Sequence, residues 1–232
     1  MLIRKAHIVD DENKLKVSEF TACDDVTFLF LDIRGFTIRT LKATEQHDMG
    51  SIREILNTYI PMATRIILSH NGVIDKYNGD GIMAIFGYTQ KGSQKATPVD
   101  AINAAANIMQ QGLAAMNQSL AAKKITPIEI GIGMEFGKEC QIAMLGDSSN
   151  PDGHAELTMI ADGLNRAAKL EKIAMSGEII IGENLRVELL TRKFQENCFR
   201  KIDKCDLKQE QVYLEPSKYL YNEADRVSRI FG

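Results

Sequence analysis

Residues 72–87, GVIDKYNGDGIMAIFG, constrain the fold more than any other stretch of the chain. An Asn-Gly pair, Asn78 and Gly79, stands between two apolar runs. Such residues accept the positive φ of a tight turn, so the stretch predicts a β-hairpin. Strand alternation puts Val73, Asp75 and Tyr77 of the first arm on one face and Ile74 and Lys76 on the other. The second arm, Ile82 to Phe86, is apolar throughout, as a strand covered on both faces is. Asp80 sits at the tip between Gly79 and Gly81. An acid there is either a turn former or a metal ligand, and the hairpin alone leaves both open.

A chain of 232 residues, 44% hydrophobic and 25% charged, has material for one cored domain with appendages. The net charge of -3 is not the footprint of a nucleic-acid binder. No apolar run approaches the roughly 18 residues of a membrane helix, and the N-terminus lacks the apolar region of a signal peptide. Cys23, Cys140, Cys198 and Cys205 are scattered without a CxxC pair. Neither a zinc site nor a disulfide framework is indicated, and a reduced, cytoplasmic compartment is the simplest reading.

Taken in order, residues 1–24 form a polar, weakly structured lead-in, 25–215 the folded domain and 216–232 a polar tail. Val26 to Leu31 reads as a buried strand running into Asp32, with Gly35 permitting a sharp turn to a helix start. Residues 39–48 read as a loop. From Met49 a helix carries Ile52, Ile55, Leu56, Tyr59, Ala63 and Ile67. Pro61 should bend or interrupt it, and Asn71-Gly72 should stop it. Thr97-Pro98-Val99-Asp100 opens another helix, with Thr97 as its cap. Strands follow at 128–136, 141–145 and 157–160, then a helix from Asp162, a strand at 178–182, a short helix from Glu183, and two weaker strands near 197–202 and 211–214. Gly131, Gly133 and Gly137 miss the GxGxxG spacing and no helix opens there, so a dinucleotide fingerprint is rejected. Strand pairs alternating with helices predict an α+β sandwich with a ferredoxin-like βααββαβ core and extra C-terminal strands.

In that arrangement the first strand and the hairpin are neighbours, which would bring Asp32 and Asp80 to one edge. Two hard oxygen ligands without His or Cys suit Mg²⁺ or Mn²⁺. The glycine turn after Asp32 would expose backbone N–H groups as a phosphate cradle. Asn165 and Lys169, four apart on the 162–175 helix, share a face that is either solvated or binds phosphate or ribose.

Three blocks carry a resemblance. Asp32-Ile33-Arg34-Gly35-Phe36-Thr37 resembles the first metal motif of class III nucleotidyl cyclases. Lys76 to Asp80, continuing to Phe86-Gly87, resembles their second motif, and residues 157–171 are similar to their third. The resemblance implies a head-to-tail homodimer with shared active sites and two divalent cations, Mn²⁺ or Mg²⁺. Asp32, Asp80 and the carbonyl of Ile33 would hold the metals, with Phe36 and Thr37 beside the substrate. Lys76 and Thr158 of the other subunit would meet the base, Asn165 the ribose region, and Lys204 the triphosphate. Where the family carries an Arg to stabilise developing charge, this chain has Lys169, which lacks the planar fork. Arg166, about 100° around the helix from Asn165, is a poor substitute.

The expected reaction is conversion of a nucleoside triphosphate to a 3′,5′-cyclic nucleotide and pyrophosphate. Thr158 and Lys76 permit ATP and a cyclic AMP product. The near-absence of sequence outside the domain, with Lys169, resembles stand-alone Pycsar-type cyclases. That implies UTP or CTP, cyclic UMP or cyclic CMP as an antiphage signal, and a separate effector protein. A nucleotide-sensing module without turnover, or another metal-dependent phosphotransferase, is the competing reading.

Overall fold

The computed structural model describes residues 20–23, 25–88, 95–145, 156–202 and 211–214. Its elements in chain order are β1 (Thr21–Cys23), β2 (Val26–Ile33), α1 (Phe36–Glu45), α2 (Met49–Ser69), β3 (Val73–Asn78), β4 (Gly81–Phe86), α3 (Pro98–Asn107), α4 (Leu113–Ala122), β5 (Ile130–Gly137), β6 (Cys140–Leu145), β7 (Glu156–Ile160), α5 (Asp162–Ile173), β8 (Ile179–Gly182), α6 (Glu183–Thr191), β9 (Phe199–Ile202) and β10 (Gln211–Leu214). A turn of π-helix, Ile108–Gly112, joins α3 to α4. Seven strands form one sheet in the order β3-β4-β2-β5-β8-β10-β9, and β1-β6-β7 form a second. This is the mixed α/β architecture that the strand and helix pattern predicts.

Alternation along β2 divides the core in two. Leu29, Leu31 and Ile33 face a large cluster with Ile55, Tyr59 and Ala63 of α2 and Ile102 and Ala105 of α3. Val26 and Phe28 point the other way, joining Met83 and Ile85 of β4, Ala167 of α5 and Cys140, Ile142 and Met159 of the small sheet. The β5 glycines have a packing role. A Cβ on Gly133 would lie 2.0 Å from the backbone nitrogen of Glu171, so α5 rests its own backbone on the sheet.

Thr97 and Asp100 form a reciprocal capping box at the start of α3. At the end of α2, Asn71 takes a φ of 61°. The N–H of Gly72 reaches the Ile67 carbonyl and that of Asn71 the Leu68 carbonyl, a Schellman stop.

Several expectations need correcting. Residues 39–48 are mostly helix, because α1 runs to Glu45. Its Ile38 and Leu41 are 62% and 60% exposed, so no apolar stripe marks it in the sequence. Pro61 does not interrupt α2. Asn57 and Pro61 are exposed, so the carbonyl that loses its partner is open to water. The hairpin loop is Gly79 and Asp80, with Asn78 still in β3 paired to Gly81. Of the two loop residues, Gly79 alone has positive φ, at 65°. The register slips between Ile74 and Lys76, a bulge at Asp75. Consequently Ile74 and Tyr77 face α2, where the Tyr77 hydroxyl meets Thr64 at 3.0 Å, and Lys76 shares its face with Val73. The strand β1 occupies part of the stretch that reads as lead-in.

Candidate active site

Asp32 and Asp80 are brought together by β2 and β4 running side by side, with Leu31 opposite Ile82. Asp80 Oδ2 accepts the backbone N–H of Ile33 at 3.2 Å. Burial pushes the Asp80 carboxyl from 3.8 up to about 7, followed by its hydrogen bond with Asp32 and the charge of Asp32. Asp32 Oδ1 is buried without a hydrogen-bond partner. The Tyr59 hydroxyl is also buried and unpartnered. Burial pushes that phenol well up, and the charges of Asp32 and Asp80 add to the effect. Two carboxylates crowded in a poorly solvated corner, one with an orphaned oxygen, form a donor set that a divalent cation fits. Among the described residues no group of three or more His, Cys, Asp or Glu side chains could hold a metal ion, so this pair would need backbone or ligand oxygens to complete a shell.

Phe36 and Thr37 open α1. Its N-cap is Gly35, φ 69°, which offers no side-chain cap. The first-turn N–H groups therefore stay available to anionic oxygens. Arg34 fixes the turn by pairing with Glu171 of α5 and by a 2.7 Å backbone bond to Glu129.

The remaining expected residues lie elsewhere. Lys76 is exposed on β3, 3.5 Å from the Asp75 carboxylate. Thr158 is in β7, in register with Ala143 of β6. Lys204 lies outside the described residues. Asn165 and Lys169 are exposed one turn apart on α5. The start of α5 touches Gly137, which pairs with Val26, whereas Asp32 pairs with Gly131. Six residues of β2 separate those levels, about 20 Å of strand. Asn165 and the carboxylate pair of one chain are thus at opposite ends of the sheet.

Glu135 and Arg166 form a further charged pair that the sequence reading does not assign to a site. Glu135 is fully buried and accepts the N–H groups of Phe136 and Leu185 through Oε1. Burial pushes its carboxyl up to about 7, against the N–H bonds and the charge of Arg166. Arg166 lies 3.5 Å from Glu135 and 2.7 Å from Asp162, so its guanidinium is committed within its own chain. The signal in the sequence is a lone charge in the otherwise apolar strand IGIGMEFG.

The family model for the adenylate and guanylate cyclase catalytic domain matches residues 19–215. The chain belongs to that family. It is a nucleotidyl cyclase catalytic domain by sequence and by architecture. It is 29% identical over 187 residues to the terminal-differentiation specific adenylate cyclase of Dictyostelium discoideum, covering 80% of this chain and 8% of that protein. It is 26% identical over 185 residues to the cytidylate cyclase of Staphylococcus aureus, covering 79% of this chain and 42% of that protein. The chain thus spans less than half the length of these relatives. The crystal structure of the adenylyl cyclase CyaB from P. aeruginosa superposes with a TM-score of 0.66 at 26% identity, covering 84% of this chain and 95% of that one. Among the described residues no helix is long and apolar enough to cross a membrane.

Proposed function

We propose that this chain converts a nucleoside triphosphate into its 3′,5′-cyclic nucleotide and pyrophosphate, as a head-to-tail homodimer with shared sites. The observation that carries the reading is the meeting of Asp32 and Asp80 beside the uncapped start of α1. Asp32, Asp80 and the Ile33 carbonyl would hold two divalent cations, Mn²⁺ or Mg²⁺. When bound, such ions supply positive charge to a reacting phosphate and lower the pKa of a coordinated hydroxyl. The N–H groups at Phe36 and Thr37 cradle phosphate oxygens and favour negative charge there. The 3′-oxygen attacks the α-phosphorus, the bond to the β-phosphate oxygen breaks, pyrophosphate leaves, and the hydroxyl proton passes to solvent.

Asn165 and Lys169 of the second subunit complete the site, because the length of the sheet keeps Asn165 of the first subunit away from its own carboxylates. Asn165 orients the ribose and Lys169 offsets charge as it develops, while Arg166 is held by Glu135 and Asp162. Lys76 and Thr158 read the base, and Lys204 binds the triphosphate. The base is a pyrimidine in this proposal, with UTP or CTP giving cyclic UMP or cyclic CMP as an antiphage signal for a separate effector protein. The cytidylate cyclase relative favours it; the adenylate cyclase relative favours the alternative, ATP.

The test is incubation of the purified chain with each of ATP, GTP, CTP and UTP, with Mn²⁺ or Mg²⁺, and identification of products by chromatography and mass spectrometry. A cyclic pyrimidine nucleotide with pyrophosphate is expected. A clear preference for ATP overturns the base assignment, and absence of turnover of all four overturns the cyclase reading.

A further inference from the structure

Cys23 and Cys140 are remote in sequence, but the fold makes them direct partners across the β1–β6 ladder. Opposed residues of an antiparallel pair sit about 4.5–5.5 Å apart at Cα, with both side chains on one face of the sheet. That spacing lies inside the roughly 4.4–6.8 Å window a disulfide needs. Both side chains pack against the same core cluster, Cys140 fully buried and Cys23 partly exposed. Both stand as thiols. The Cys140 sulfur fills the space that a side chain on Gly137 would take, 2.8 Å from where its Cβ would be.

We infer that Cys23 and Cys140 form a reversible dithiol–disulfide site that fastens β1 to β6. The oxidant is hydrogen peroxide. Cys23, the more exposed thiol, attacks first. Its sulfur bonds to one peroxide oxygen, the O–O bond breaks, and the departing oxygen takes up a proton to leave as water. Cys140 sulfur then attacks the Cys23 sulfenic sulfur, the S–S bond forms, and the sulfenic oxygen leaves as a second water. The two sulfurs lose two electrons, which the peroxide gains, and both thiol protons end in water. A dithiol reductant reverses the bond by exchange.

The place of the bond gives it a consequence. β1 is three residues long and lies at the edge of its sheet. Short edge strands open at little cost. Cys23 precedes the start of β2 at Val26, Cys140 follows the end of β5 at Gly137, and Val26 and Gly137 are themselves paired. The disulfide would therefore close the corner where the two sheets meet. On its other edge β6 pairs with β7, the strand containing Thr158. Oxidation would stiffen the small sheet without touching the carboxylate pair.

The test uses the full chain, reduced, freed of reductant and titrated with hydrogen peroxide. Intact mass and non-reducing peptide mapping read the product. The expected result is loss of two hydrogens, one linked peptide joining Cys23 to Cys140, and recovery by dithiothreitol. Cys23→Ser should abolish the linkage and Cys198→Ser should leave it. Hydrogen exchange at residues 21–23 should slow by about tenfold or more on oxidation. Oxygen addition at Cys23 with Cys140 remaining a thiol overturns the inference, as does a linked peptide containing Cys198 or Cys205. Mapping of the unmodified chain decides the matter even if a buried Cys140 variant fails to fold.

Discussion

Replacing Asp80 with Asn should make the metal-free chain more stable while removing its response to metal. The new side-chain amide would keep an oxygen to accept the Ile33 N–H, so what changes is the charge facing Asp32. The Asp80 carboxyl rises from 3.8 to about 7, first through burial and then through Asp32. The folded chain therefore holds that proton over a window in which the unfolded chain has lost it. Stability falls as pH rises through this window, and the full cost is present above about pH 7. At about 1.4 kcal/mol per pH unit, the ceiling is about 4 kcal/mol. Solvent at the partly exposed carboxylate screens this to about 2 kcal/mol. For a chain of this size that corresponds to a gain in Tm of about 4–8 °C at about pH 8. The gain should shrink by about half at about pH 5.5, where less of the window has been crossed. Differential scanning calorimetry without metal, at both pH values, reads this directly. Glu135, also raised to about 7, is present in both proteins and cancels in the comparison. Added Mn²⁺ should raise the Tm of the parent and leave that of Asp80→Asn unchanged. An Asp80→Asn chain no more stable than the parent at the higher pH, or equally favoured at both, would mean that burial and Asp32 do not raise the Asp80 carboxyl.

Glu135→Ala should cost about 2–4 kcal/mol in urea unfolding, because the Phe136 and Leu185 N–H groups and Arg166 lose their acceptor, whereas Glu135→Gln should cost about 1 kcal/mol. Gly133→Ala places a methyl group against the α5 backbone and should destabilise by about 3 kcal/mol or yield insoluble chain, as judged by thermal melting and soluble expression. Lys169→Arg should raise turnover about tenfold with little change in KM, since a planar fork spreads charge over two phosphate oxygens. A fall in turnover would mean that Lys169 is fitted to this pocket as it stands.

The hairpin is legible in the sequence because its signals are local: turn residues flanked by apolar runs. The bulge at Asp75 is not, because a strand read by alternation has no mark for one extra residue, and the faces of Lys76 and Tyr77 are exchanged as a result. α1 is hidden by its exposed Ile38 and Leu41. The glycines of β5 advertise a close approach, but only the packing of α5 reveals what approaches. Asp32 and Asp80 can be paired from strand order alone. The distance separating Asn165 from them, and the contact between Cys23 and Cys140, depend on register between segments remote in sequence.

In the proposed dimer each site takes its carboxylates from one subunit and its Asn165 face from the other. Mixing Asp32→Ala with Asn165→Ala, after dissociation and reassembly, separates shared from self-contained sites. Each variant alone should be inactive. Random reassembly should make half of the dimers mixed, each with one intact site, restoring about a quarter of parental cyclic nucleotide formation. A mixture as inactive as its components, although mixed dimers form, would rule out shared sites.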